Sequence, residues 1–311
     1  MPRPAGSPAA TTSPQTSNRD SAAIVALLRL DDASRLGSPA ELLASVGDAE
    51  RALRVALEDD SGQATLLPAD PEPLIDRALA DVERWTAAGI RLISVLDDGY
   101  PTNLHVVHDR PALVFVRGAL TPADALSVAI VGSRRASPAG LEHARALATG
   151  LSEAGHVVVS GLAAGIDAAA HAAALETSGR TVAVIGTGVD RVYPAAHAEL
   201  QRTIATAGAV VSCFWPDQAP SRTGFPVRNG LMSGLTRGTV IVEATERSGA
   251  RTQARRALGH GRPVFLHPAL LEQGWARELA DRPNVHVAAD ADAVVTVLRR
   301  QRPDDAPLVD V

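Results

Sequence analysis

From Ser127 to Leu266 the sequence keeps returning to short, apolar, β-branched runs separated by stretches with helical spacing, and this alternation constrains the fold more than any other feature. The runs are Val128 to Val131, His156 to Ser160, Thr181 to Ile185, Ala209 to Ser212, Thr239 to Val242 and Val264 to Leu266, with a further candidate at Val285 to Ala288. A strand covered on both faces reads as a continuous apolar run, and parallel neighbours need a helical crossover between them. Right-handed crossovers repeated in this way give an α/β fold with a doubly wound, Rossmann-like parallel sheet. Ligands in such sheets bind beyond the carboxyl ends of the strands, so function is to be sought there.

Ahead of the sheet, Met1 to Asp20 is rich in Pro, Ser, Thr and Ala without apolar periodicity, the composition of a disordered tail. Ile24, Leu27 and Leu28, then Leu42, Leu43 and Val46, recur at helical spacing between breaks at Gly37-Ser38-Pro39 and Gly47-Asp48. That pattern predicts a small N-terminal helical domain over residues 21–70. From Pro71, the positions Leu74, Ala78, Val82 and Trp85 fall on one face of a helix that ends at Gly89, followed by strands at Ile90 to Val95 and Leu113 to Val116. Residues 71–120 thus read as the leading α/β extension of a main domain over 71–300, and 301–311 as a C-terminal tail.

The strand ends carry an unusual density of glycine and arginine. The first offers Gly132-Ser133-Arg134-Arg135 before Ser137-Pro138 opens a helix, and the second offers Ser160-Gly161-Leu162-Ala163-Ala164-Gly165 with Asp167 at the next helix start. The third carries Gly186-Thr187-Gly188 and then Tyr193-Pro194; the fourth a long Pro- and Gly-rich loop, Cys213 to Gly230, containing Arg222, Arg228 and Asn229. At the fifth stand Glu243, Ser248 and Gly249, with Arg251, Arg255 and Arg256 on the helix that follows. Backbone N–H groups of small-residue turns entering helices form anion sites, and arginine adds forked donors suited to phosphate. The rim therefore predicts a phosphate-bearing ligand.

Composition sharpens this. Net charge is -5, so no uniformly basic surface exists, and local patches must carry any anion binding. All 30 basic side chains are arginine. The single cysteine, Cys213, excludes an internal disulfide and is expected to pack. No apolar run is long enough to span a membrane and the N-terminus lacks a signal-peptide pattern, which points to the cytoplasm. No cofactor is expected: Gly186-Thr187-Gly188 lacks the third, helix-opening glycine of a dinucleotide fingerprint. No metal is expected either, since His260 and His267 have no further ligands at useful spacing. Asp167 with His171 reads as an acid–base pair, or Asp167 as a helix cap or dipole partner; Glu243 reads as a strand-end carboxylate without a catalytic partner. With few aromatics in the chain, Tyr193, Phe214, Trp215 and Phe225 are the candidates to stack a base.

Taken together and in order, GSRRAS (132–137), SGLAAGIDAAAH (160–171), VAVIGTGVDRVYP (182–194), FPVRN (225–229), SGL (233–235), VIVEATERSGARTQA (240–254) and GRPVF (261–265) resemble the DNA-processing protein A family, DprA or Smf. DDGYPTNLHVVHDRPALVFVRG (97–118) is similar to the segment that precedes the Rossmann domain in that family. The resemblance implies a non-enzymatic, dimeric, cytoplasmic protein that binds single-stranded DNA during natural transformation and loads the RecA recombinase. It assigns phosphate contacts to Gly132, Ser133, Arg134, Ser160, Gly161, Arg228 and Asn229, beside which Arg135 belongs to the same turn. Asp167, Gly186, Gly188, Tyr193, Glu243, Ser248, Gly249 and Arg251 complete the rim. The chain departs from the family pattern at Gly230 and Ala164, where basic residues are usual, at Cys213, and at Ala250-Arg251-Thr252-Gln253. These missing charges keep a second reading open, a Rossmann-like protein that binds or hydrolyses a small nucleotide.

Overall fold

The computed structural model describes residues 17–30, 38–60, 70–246 and 248–300. Of the tails expected at 1–20 and 301–311, residues 1–16 and 301–311 lie outside the described residues, whereas residues 17–20 are not tail but the cap and first turn of a helix.

The first helix, α1 (Asn18–Leu28), begins three residues before Ser21, because Ser17 and Asp20 cap it reciprocally: Ser17 Oγ accepts from the Asp20 amide at 3.1 Å while the Asp20 carboxylate accepts from the Ser17 amide at 3.2 Å. Helices α2 (Pro39–Val46), α3 (Ala49–Asp60) and α4 (Glu72–Ala87) follow. Arg19 ties α1 to α3 through Glu50 at 2.6 Å and to α4 through Glu72 at 2.7 Å. On α4 the buried stripe is Ile75, Ala78, Val82 and Trp85, so Ile75 replaces the half-buried Leu74 at its start.

Nine strands form one sheet: β1 (Arg91–Ser94), β2 (Leu113–Gly118), β3 (Ser127–Val131), β4 (Val157–Ser160), β5 (Thr181–Val184), β6 (Ala209–Ser212), β7 (Thr239–Ile241), β8 (Val264–Leu266) and β9 (Val285–Val287). Their spatial order is β1-β2-β6-β5-β4-β3-β7-β8-β9. The stretch from β6 to β9 is parallel, with Val128 opposite Val158 and Ile130 opposite Val240, which establishes the doubly wound α/β fold. The strands of the leading segment join the same sheet, β2 lying antiparallel on β6 with Phe115 opposite Ser212.

The short helix α5 (Thr102–His105) lies between β1 and β2, the crossovers are α6 (Pro138–Glu153), α7 (Ile166–Glu176), α8 (Ala198–Ala207), α9 (Gly224–Leu235), α10 (Gly249–Gly259) and α11 (Gly274–Ala280), and α12 (Ala291–Arg300) follows β9. Strand residues alternate between two cores: Val128 and Ile130 join the one with Leu147, Leu151, Ile166 and Val294, whereas Ala129 and Val131 join the other with Leu231, Met232 and Ala254. From β3 the chain winds outward through β4, β5 and β6, then returns to β7 on the other side of β3. That reversal leaves a crevice at the carboxyl ends of β3 and β7. Among the described residues, no helix is long and apolar enough to cross a membrane.

Candidate functional site

The crevice is a cleft of about 540 Å³, with Gly132 to Arg135 on one wall, Arg228, Asn229 and Phe225 on another, and Thr245, Ser248, Gly249, Ala250 and Gln253 closing the third. Its first wall is the turn after β3. Ser133 Oγ accepts the Arg135 amide at 3.2 Å, and the Ser133 carbonyl accepts the Ile166 amide at 3.2 Å, locking the turn against the start of α7. Gly165 makes this contact possible: it adopts φ 80°, and a Cβ there would stand 2.2 Å from the Ser133 carbonyl oxygen. Ser137 then caps α6 by accepting the Gly140 amide at 3.0 Å, with Pro138 as the first helical residue.

The floor carries a buried ion pair. Arg228 and Asp167 stand 3.9 Å apart, both nearly inaccessible. Asp167 Oδ2 accepts the amides of Gly161 at 3.2 Å and Ala163 at 3.4 Å, so the carboxylate at the start of α7 organises the loop after β4. Arg228 donates from Nη1 to the Val184 carbonyl at 3.3 Å, and its buried Nε–H has no partner among the described residues. Burial pushes the Asp167 carboxyl up, opposed by Arg228, and pushes the Arg228 guanidinium down, opposed by Asp167. Guanidinium keeps its proton in proteins, so the site holds a desolvated cation that a single carboxylate at 3.9 Å only partly balances. Asn229, also buried, lines the cleft with its amide uncommitted among the described residues.

At the mouth, the exposed Arg134 places its guanidinium 4.7 Å from the centre of the Phe225 ring, and Phe225 lies 6.2 Å from Tyr193, which is 46% exposed. Cation, ring and ring form a row suited to a phosphate followed by a stacked base. Phe214 lies against Gly224 at the start of α9. Trp215, grouped with these aromatics as a base-stacking candidate, packs instead on Trp85 and Phe115 with centroids 6.0 and 5.8 Å away. It is a structural residue because the segment after β6 folds back over α4.

The remaining predicted residues divide clearly. Gly132, Ser133, Arg134, Arg135, Asp167, Arg228, Asn229, Ser248 and Gly249 line the cleft. Ser160 is fully buried and donates its hydroxyl to the Ile130 carbonyl at 2.6 Å, and Gly161 lies directly beneath Arg228; both support the floor from behind. Gly186 underlies Phe225, while Gly188 packs beneath the Trp215-Pro216 backbone. Glu243 is drawn away from the cleft by the start of α6, accepting the Ser137 amide at 3.0 Å and hydroxyl at 2.5 Å. Arg251 faces the opposite side of α10, donating to the Glu246 carbonyl at 2.8 Å. Thr245, Met232 and Gln253 are cleft residues that sequence reasoning missed, and Gln253 carries a buried Oε1 without a partner among the described residues. Only its inward position on α10 distinguishes it.

His171 is fully buried, its Nδ1 2.7 Å from Thr181 Oγ1, and burial lowers its pKa to about 3, so it is a neutral core residue and no general base. His260 and His267 do not meet: His267 stacks on His143 at 4.1 Å, whereas His260 contacts Ser233 at 2.9 Å and Asp109 at 2.7 Å. His108, Asp109 and His260 do bring their ligand atoms within 4.8 Å of one another, but Arg256 lies 3.3 Å from the Asp109 carboxylate and already balances its charge. Cys213 packs as expected, burial pushing its thiol up to about 12.

Residues 91–296 match the family described as DNA recombination-mediator protein A. The chain is 44% identical over 181 residues to the DNA processing protein DprA of Streptococcus pneumoniae, an alignment covering 58% of this chain and 64% of that relative. Across the curated relatives that match, this chain spans 44% to 68% of their length. The crystal structure of the S. pneumoniae protein superposes with a TM-score of 0.65 at 29% identity, covering 91% of this chain and 98% of that one. DNA processing protein A from Helicobacter pylori, whose structure concerns its single-stranded DNA binding mode, superposes with a TM-score of 0.60 at 27% identity over 68% of this chain and 96% of that one.

Proposed function

Because the chain belongs to the DNA recombination-mediator protein A family, we propose that its cleft binds the backbone of single-stranded DNA and presents the strand to the RecA recombinase during DNA uptake. The observation that carries this reading is Arg228: a desolvated guanidinium with an unpartnered Nε–H at the floor of an open cleft, where an arriving phosphate supplies the missing acceptor and charge. Arg134, Arg135, the Gly132-Ser133 backbone and Asn229 are the other contacts, and Tyr193 and Phe225 stack bases. Backbone phosphates held by arginine and stacking on ring faces make binding tolerant of sequence and sensitive to salt. The protein acts by binding rather than catalysis, in the cytoplasm, as a homodimer. The partners of Asp167 and Glu243 support the absence of catalysis: Asp167 is occupied by backbone amides and Arg228, and Glu243 by Ser137.

The test is the salt dependence of binding to a fluorescent oligo-dT by the wild type and Arg134→Ala. The wild type is expected to show a negative slope of log affinity against log salt. Arg134→Ala is expected to bind more weakly, with a slope shallower by about 0.7 because one fewer phosphate is neutralised. Equal affinity and slope for the two proteins would remove the cleft from the binding surface.

A further inference from the structure

Helix α10 has a second face. Gly249, Ala250 and Gln253 look into the cleft, while Arg251 and Arg255, one turn apart, look into a separate hollow of about 260 Å³ closed by Trp275, Glu278, Leu279 and Arg282 of α11 and its C-terminal turn. Three arginines thus surround one hollow that holds a single carboxylate. Arg251 is braced there, its guanidinium 5.2 Å from the Trp275 ring centre and bonded to the Glu246 carbonyl. Arg255 and Arg282 are exposed and enter no ion pair among the described residues. Arg251 is paired with Glu246 at 4.0 Å, which leaves Arg255 and Arg282 as the unbalanced charges and makes the hollow a local electropositive site in a chain of net charge -5.

We propose that this hollow is a second phosphate-binding station for the DNA strand as it leaves the cleft, an inference that rests on the single-strand reading of the cleft itself. Both hollows share α10 as a wall, so they lie about one helix width, roughly 10 Å, apart. A polymer with repeating phosphates bridges that distance, and a mononucleotide does not. Forked guanidinium donors match phosphate oxygens, and the Arg251–Trp275 stack holds one fork in place before the strand arrives. The station therefore contributes only to strands long enough to round α10.

Two oligo-dT probes separate the stations, one of about 6 nucleotides that fills the cleft and one of about 20 that reaches further. The double variant Arg255→Ala/Arg282→Ala is expected to bind the short probe like the wild type. For the long probe it is expected to bind several-fold more weakly, with a salt slope shallower by about 1.4 because two fewer phosphates are neutralised. Arg134→Ala, in contrast, weakens both probes. Unchanged binding of the long probe by the double variant, or an equal weakening for both probes, would overturn the second station while leaving the cleft intact. A wild type that binds neither probe would overturn both. Because both arginines are exposed, unaltered thermal melting of the variant shows that the comparison is made between folded proteins.

Discussion

Arg228 is held in position by the absence of a side chain opposite it. A Cβ on Gly161 would stand 1.3 Å from Arg228 Nη1 and 2.8 Å from Asp167 Oδ2, so the glycine at the end of β4 is there for the guanidinium that lies across it. Gly161→Ala is expected to push Arg228 off the Val184 carbonyl, destabilise the protein by about 1–3 kcal/mol through overpacking, and weaken oligo-dT binding more than Arg134→Ala does. Denaturant unfolding and fluorescence anisotropy on the same variant check both effects; wild-type affinity in a folded Gly161→Ala protein would separate Arg228 from the ligand. At this scale the sequence is partly legible. Arginine and asparagine at strand ends are readable as anion contacts because little else recommends them there. Ser160 is not readable as a supporting residue, since the direction of its hydroxyl is decided by the Ile130 carbonyl on the neighbouring strand.

Among the elements that build the cleft, α9 is one that sequence reasoning misses. Cys213 to Gly230 reads as a loop because of its proline and glycine, yet the helix starts at Gly224 and accommodates Pro226 in its first turn, where a missing N–H costs no intrahelical bond. Almost every later residue of α9 is buried, so no polar face marks its period. Helix α6 shows the reverse case, a start legible from Ser137-Pro138 whose second anchor comes from a distant strand end. Glu243 holds the Ser137 amide and hydroxyl, tying the end of β7 to the helix that follows the Gly132 to Arg135 turn. Its carboxylate also complements the positive end of the helix. Glu243→Ala is expected to lower stability by about 1–2 kcal/mol, the cost of removing a cap, and to loosen the turn so that oligo-dT binding falls with it. Glu243→Gln, which retains an acceptor, should recover part of both effects. Equal stability of Glu243→Ala and wild type would show that the interaction does not anchor α6.

For the molecule as a whole, the parallel core is legible because its continuous β-branched runs have few alternatives, whereas the attachment of the N-terminal helices depends on side chains far apart in sequence. Trp85 on α4, Phe115 on β2 and Trp215 after β6 meet in one cluster, with Arg29, just beyond α1, placed 5.1 Å from the Trp215 ring centre. The cluster joins the helices, the antiparallel edge of the sheet and the segment leading to α9. Sequence alone does not separate Trp215 from Phe225, because both lie in the same aromatic-bearing stretch; the fold sends one inward and the other to the cleft. The two positions therefore make opposite predictions. Trp215→Ala removes a half-buried ring and is expected to cost about 2–3 kcal/mol in denaturant unfolding, below the full cost of a core tryptophan. Under conditions where it remains folded, its oligo-dT affinity should equal that of the wild type. Phe225→Ala should instead weaken binding by about 1–3 kcal/mol, the range for removal of a stacking platform. Failure of a stably folded Trp215→Ala protein to bind DNA would move the strand's path across the N-terminal helices and away from the carboxyl ends of the strands.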